Sequence, residues 1–360
     1  MTRKRIQFVA SLLITAFFLW LAFRNVPLRV LWADLKQIQY WWAIPFCVIT
    51  LVSMYLRAVR WKYLLEPIVN APSYKLFPPT IICFALNGIL PGRVGEFARA
   101  FLVSRDYKVK FSSALATVIV ERIADGMGLL MFFVGILAFV PLGEGLSLEW
   151  KGIKINGAAI RSLSHRLLIV CVILLAGTIL MLWEPFRRLV QGIVSRIPLL
   201  PHRLKEGLNR FIETFVHGFH SLRSPRLVFW VIVHTATVWL TVGWSLQIMS
   251  YGFPGFRLTF IQGMATAIII CFAIMIPAAP GYWGLYEVGC ILALQMQGAV
   301  PLDEAGHATA LGFSLVAHAL QIICTTVPGM WFLWRRQVGL SELTHRKDAE
   351  RTVDSHSSSD

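Results

Sequence analysis

The feature that most constrains this chain is a series of apolar runs, at about 6–23, 41–57, 113–140, 166–183, 227–250 and 308–334. Each is long enough to cross the roughly 30 Å hydrocarbon core of a bilayer. Inside lipid, every backbone N–H and C=O must find its partner within the protein, which leaves helices and closed barrels. Barrel strands would be short segments of alternating polarity, and these runs do not alternate. Composition agrees: 56% of the 360 residues are hydrophobic and 15% charged, where a soluble domain carries roughly 25% charged residues.

Two further apolar regions are interrupted. One, 76–111, breaks at Pro91-Gly92; the other, 258–297, breaks at Pro277-Ala278-Ala279-Pro280-Gly281. If both dip in and return on the same side, the six uninterrupted runs fix every loop. Both termini are then cytoplasmic, 24–40, 141–165 and 298–307 lie outside, and 58–75 and 184–226 lie inside. Lys and Arg then favour the inner side by roughly three to one, as the positive-inside rule requires. The expected fold is an all-α polytopic membrane protein with about six full transmembrane helices plus two re-entrant broken-helix hairpins. Its membrane domain would occupy 1–338, half one about 1–140 and half two about 166–335, with a disordered cytoplasmic tail over 339–360.

The formal charge of +15 does not point to nucleic acid. Most of the basic residues flank apolar segments, where they face anionic lipid and set topology, and no basic-aromatic surface accompanies them. The six cysteines (Cys47, Cys83, Cys171, Cys271, Cys290, Cys324) lie inside apolar runs with no CxxC pair, and read as small buried hydrophobes. The first run is too long for a signal-peptide core and is expected to stay as a span. Segment 204–219 is spaced as an amphipathic helix, for the cytoplasmic surface or as cover for other protein. "KGIKING" in the outer loop suggests a small hairpin.

The two breaks echo one another. Pro91-Gly92-Arg93-Val94-Gly95-Glu96 and Pro280-Gly281-Tyr282-Trp283-Gly284-Leu285-Tyr286-Glu287 both contain PGxxG followed by a glutamate. Each half has two spans, a broken segment and a third span, so the second half is expected to be an inverted repeat of the first. Interrupted segments at matching positions point to a transport site. Proline stops the incoming helix, and glycine (Gly92, Gly95, Gly281, Gly284) supplies the turn. The outgoing half-helix then starts at depth with unpaired amides and a positive dipole end, a place for an anion. Arg93 and Arg99 would add charge-assisted hydrogen bonds.

Glu96 has two readings. One is functional; the other is a first-turn acid paired locally with Arg93 and Arg99. Glu287 has no cation within four residues, so its presence at depth asks for a function. Glu121, Arg122 and Asp125 share one helix face, as a structural ion pair near the surface or as a polar wall of the cavity that holds Arg93. His234 and His318 read as hydrogen-bonded packing residues, and Trp41, Trp42, Trp331 and Trp334 as an interfacial belt. No Walker loop, GxGxxG, GxSxG or HExxH motif occurs, so neither cofactor nor metal is expected.

At these residues a resemblance emerges. "NGILPGRVGEFARAFLVSRDYKVKFSSALATVIVERIADGMGLL" (87–130) resembles the signature of the lysylphosphatidylglycerol synthase transmembrane-region family, also called the flippase-like domain. "PAAPGYWGLYEVG" (277–289) looks like its second signature, and the likeness covers roughly 5–335. It implies a flippase without the aminoacyl-transferase domain of two-domain relatives, moving other lipids or polyprenyl-phosphate-linked sugars. Carried over by position, Asn87, Arg93, Glu96, Arg99, Glu121, Arg122 and Asp125 match the first signature. Pro280, Gly281, Gly284 and Glu287 match the second. The family often has glycine after the second PG, where this chain has Tyr282 and Trp283; those aromatics would line the lipid path.

The expectation is a multi-pass lipid translocase of the cytoplasmic (inner) membrane, binding an anionic headgroup or a polyprenyl phosphate. Two alternatives stand. One is an accessory partner of a glycosyltransferase or lipid synthase. The other is a membrane enzyme in which Glu121, Asp125 and Glu96 supply acid–base chemistry.

Overall fold

The computed structural model describes residues 3–24, 26–90, 93–139, 148–150, 153–155, scattered positions between 166 and 180, 184–196, 224–275 and 280–336. The turn residues Pro91, Gly92 and 276–279, the amphipathic stretch 204–219, Cys171 and the tail from 337 lie outside them.

The described chain is predominantly helical: α1 (Arg3–Phe23), α2 (Leu28–Gln37), α3 (Ala43–Leu65), α4 (Ser73–Ile89), α5 (Val94–Tyr107), α6 (Phe111–Phe139), α7 (Glu184–Arg196), α8 (Pro225–Ser250), α9 (Phe260–Ala273), α10 (Leu285–Met296) and α11 (Glu304–Arg335). Short 3₁₀ turns at Tyr40–Trp42 and Pro280–Tyr282 precede α3 and α10. In the loop after α6, strand Leu148–Trp150 pairs antiparallel with Ile153–Ile155, Trp150 opposite Ile153, so the "KGIKING" region does form a hairpin. Described positions between 166 and 180 are helical.

Among the described residues, three helical stretches are long and apolar enough to cross a bilayer: Tyr40–Leu65, Pro225–Ser250 and Glu304–Arg335. α1 and α2 meet at 83° and, taken as one bent span, make a fourth. Helix α6 runs 29 residues, about 43 Å at 1.5 Å per residue, with Glu121, Arg122 and Asp125 in its first half. The starts follow local chemistry. Pro225 opens α8 where no amide partner is needed. Thr259 and Gln262 cap α9 reciprocally, and Asp303 accepts from the Gly306 amide at 2.7 Å to open α11.

Helix α3 shows how one sequence serves two environments. Ile44, Val48, Val52 and Tyr55 are exposed, a stripe suited to lipid. Phe46, Ile49, Ser53, Met54, Arg57, Arg60, Trp61 and Leu64 are buried on the other side. That inner face packs on α4, α6, α8 and α11.

The packing pairs off between the two halves. α3 lies on α4 as α8 lies on α9; α4 folds back on α5 as α9 does on α10; α5 meets α6 as α10 meets α11. Across the halves α4 touches α11 and α9 touches α6, α3 touches α11 and α8 touches α6, while α3 and α8 touch one another. The tips of the two broken regions also meet, since a Cβ on Gly281 would lie 3.4 Å from the Gly88 carbonyl oxygen.

Candidate functional site

Four helices converge on a buried cluster of charge. From α3 come Arg57 and Arg60; from α5, Glu96 and Arg99; from α6, Glu121, Arg122 and Asp125; from α8, Thr235. Arg60 is fully buried and forks between two carboxylates, Nη1 to Asp125 Oδ1 at 2.5 Å and Nη2 to Glu121 Oε1 at 2.8 Å. Its Nη1 also donates to Thr235 Oγ1 at 3.0 Å. Arg99, equally buried, sits 2.8 Å from Glu121 Oε2 and stacks 3.7 Å from the Trp61 ring centre. Trp61 is held in turn by its Nε1 donating to Thr117 Oγ1 at 2.9 Å.

Arg122 stands at the open edge, its side chain 29% exposed, facing Glu96 at 3.7 Å, Glu121 at 3.5 Å and Asp125 at 3.4 Å. Arg57 is the most loosely held, with one ion pair to Asp125 at 3.8 Å. Both Arg57 and Arg122 lie over the Phe84 ring, at 5.1 and 5.9 Å. The cluster thus contains four guanidinium groups and three carboxylates. Among the described residues, the buried Nε of Arg57, Arg60, Arg99 and Arg122 has no hydrogen-bond partner. A buried polar group left unpaired is costly, and a surplus of cation more so; an oxyanion would relieve both.

The trio on α6 does share a face and a cluster. Glu96 joins it through Arg122, and Arg99 through Glu121, so neither uses the local Glu96–Arg93 or Glu96–Arg99 pairing that spacing suggested. Arg93 is not brought in: it is exposed, caps α5 in the left-handed conformation (φ 55°) and has no ion pair among the described residues. Sequence reasoning missed Arg57 and Arg60. Their signal is the pair R-A-V-R at the end of the apolar run 41–57, which the positive-inside rule explains equally well.

The start of α5 is more occupied than expected. The Gly95 amide donates to Asn87 Oδ1 at 2.9 Å, so Asn87 ties the end of α4 to α5. Gly95 is required there, because a Cβ would fall 2.0 Å from the Cys83 carbonyl oxygen.

The second break is built differently. Tyr282 takes φ 57°, the left-handed region that glycine enters freely, so a glycine here would be unstrained. Gly284 (φ 85°) packs where a Cβ would lie 2.7 Å from the Leu19 amide of α1. Glu287, fully buried, accepts from the Gly284 amide through Oε2 at 2.5 Å and pairs with His318 Nδ1 through Oε1 at 2.7 Å. His318 stacks on Tyr286 with ring centres 4.1 Å apart and meets half-buried Trp283 at 4.5 Å. The partner missing near Glu287 in sequence is thus supplied from α11. His234 bonds the Trp230 carbonyl at 2.7 Å among aromatic rings, as a packing histidine does. A concavity of about 330 Å³ beside Gln37, Gln39 and 251–257 contains Arg257 and none of these residues.

Residues 8–329 match the family model described as "Lysylphosphatidylglycerol synthase TM region". No curated protein and no solved structure matches the chain.

Proposed function

The chain belongs to the lysylphosphatidylglycerol synthase transmembrane-region family, a membrane family linked to lipid handling. From that premise we propose that it is a lipid translocase of the cytoplasmic membrane, not an enzyme, moving an anionic phospholipid or a polyprenyl-phosphate-linked lipid by alternating access. In this reading six spans cross the bilayer with both termini cytoplasmic. The α4–α5 and α9–α10 hairpins are re-entrant, and the halves form an inverted repeat. Support for the repeat comes from the paired-off packing of the halves and from the left-handed residue that follows each PG, Arg93 and Tyr282. Rocking one repeat against the other would expose a central site to each side in turn.

The observation that carries the proposal is the surplus of buried arginine between α3, α5 and α6, with Arg122 at its open edge. A phosphodiester or phosphate headgroup would pair with Arg57 and Arg122 over Phe84 while its acyl chains stay in lipid. This shifts the expected anion site from Arg93 and the half-helix amides to the cluster behind them. Acid–base catalysis has less support, since Glu121 and Asp125 are each already engaged by three guanidinium groups.

The test is dithionite quenching of fluorescent lipid in proteoliposomes, comparing labelled phosphatidylglycerol with labelled phosphatidylcholine. Wild type should move the anionic lipid faster, and Arg57→Gln should lose that preference while Arg93→Ala keeps it. Equal rates for Arg57→Gln and wild type would remove the cluster from the transport path. A wild type that moves neither lipid while restoring a partner synthase would favour the accessory reading.

A further inference from the structure

We infer that Glu287 and His318 form a proton-binding site, and that lipid movement is coupled to proton movement through it. The inference rests on the translocase reading.

The acids beside the two hairpins have opposite surroundings. Against the first, Glu121 and Asp125 of α6 each face three arginines. In the second, Glu287 faces one imidazole and one backbone amide, and among the described residues no Lys or Arg pairs with it. The neighbouring titratable groups are His318 from α11, Tyr286 and Cys290 from α10, and Cys271 from α9. Residues 13–23 of α1 carry no titratable side chain. None of these neighbours is a fixed cation. Histidine is the side chain whose charge changes near neutral pH, and here its Nδ1 lies 2.7 Å from a carboxylate oxygen, within reach of direct proton transfer. One proton placed between them leaves the pair neutral overall. A second proton makes it cationic, and loss of the first makes it anionic. An ionisable pair this deep in a membrane protein, with no fixed counter-charge, is suited to carrying protons.

The site is also joined to the turn and, through it, to α1 and the first hairpin. Glu287 Oε2 holds the Gly284 amide at the turn, Gly284 abuts the α1 backbone, and Gly281 of the same turn abuts the Gly88 carbonyl at the first hairpin's tip. Changing the proton count on Glu287 changes the acceptor that fixes this turn. Charge balance gives the coupling a purpose. A monoanionic headgroup crossing with one proton transfers no net charge, whereas one crossing alone works against the membrane potential, about 2.3 kcal/mol per charge per 100 mV. The proton is taken from water on one side and returned to water on the other, with no covalent step.

The experiment uses proteoliposomes of the full chain with fluorescent phosphatidylglycerol and a trapped pH dye, with and without an imposed pH gradient. In wild type, the gradient should accelerate lipid movement, and lipid movement should register on the dye. Glu287→Gln can keep both hydrogen bonds, its amide oxygen accepting from Gly284 and its amide nitrogen donating to His318. It should lose the dye signal and the gradient response. His318→Gln should do the same, and carries the test if Glu287→Gln does not fold. Wild-type lipid movement with no dye signal and no gradient response overturns the coupling and leaves the translocase reading intact. Variants that keep both responses overturn the assignment to Glu287 and His318. A wild type that moves no lipid overturns the translocase reading and the coupling with it.

Discussion

At the scale of single residues the cluster sets stability against function. Glu121 is the one carboxylate of the cluster with no exposed surface, and it lies 2.8 Å from both Arg60 and Arg99. Glu121→Gln leaves those guanidinium groups without their shared counter-charge. Removing one partner from a buried pair costs about 3–5 kcal/mol, so this variant should melt well below wild type in detergent; an unchanged melting temperature would refute the pairing. Arg57→Gln should behave in the opposite way. Arg57 has one long contact to Asp125, and its loss brings four cations and three anions to balance. Its stability should stay within about 1 kcal/mol of wild type, while anionic-lipid movement falls. Sequence made the α6 trio legible, because three charges at spacing three and four in an apolar helix have few places to go. It did not reveal Arg57 and Arg60. Basic residues at a span's inner end are expected for topology alone, and only tertiary packing turns them inward. For the same reason Glu287 looked unpaired: its partner is 31 residues away, on a different helix.

At the scale of elements, the hairpins depend on close backbone approach. Gly95 lies where α5 crosses α4, and the atom a Cβ would strike is a carbonyl oxygen, not a flexible side chain. Gly95→Ala must therefore pry the hairpin open and weaken the Asn87 cap, at a cost of about 3 kcal/mol or more. Gly126, exposed on α6 with nothing within 4 Å of an added Cβ, provides the control. Gly126→Ala should be neutral, or stabilising by up to about 1 kcal/mol through helix propensity. Equal melting temperatures for the two would mean that α4 and α5 do not pack as described. The PGxxG echo located both hairpins from sequence, and the left-handed residue after each PG shows what the motif encodes. The glutamates after the glycines are less alike than their letters. Glu96 directly follows its glycine and reaches Arg122, whereas Glu287 comes three residues after Gly284 and folds back on the Gly284 amide. A difference of two residues in spacing moves an acid from a cluster to a cap.

At the scale of the whole molecule, the proposed topology turns on chain parity. α4 packs back on α5 and α9 on α10, and in the proposal each broken region returns to the side it entered from. In the proposed layout, six crossings would put 24–40 outside and 184–226 inside, as the basic residues of the latter favour. Lys36 near the end of α2 and Arg188 on α7 are both exposed, and belong to opposite faces in this layout. In intact cells a membrane-impermeant maleimide should label Lys36→Cys above the background of the unsubstituted chain. Arg188→Cys should be labelled only after permeabilisation. Labelling of Arg188→Cys from outside would mean that one hairpin crosses outright. The halves would then run parallel, and the two breaks would no longer approach a common centre from opposite faces of the membrane. The proposed mechanism uses that approach: Gly281 lies beside the Gly88 carbonyl, where two oppositely oriented repeats would rock against one another.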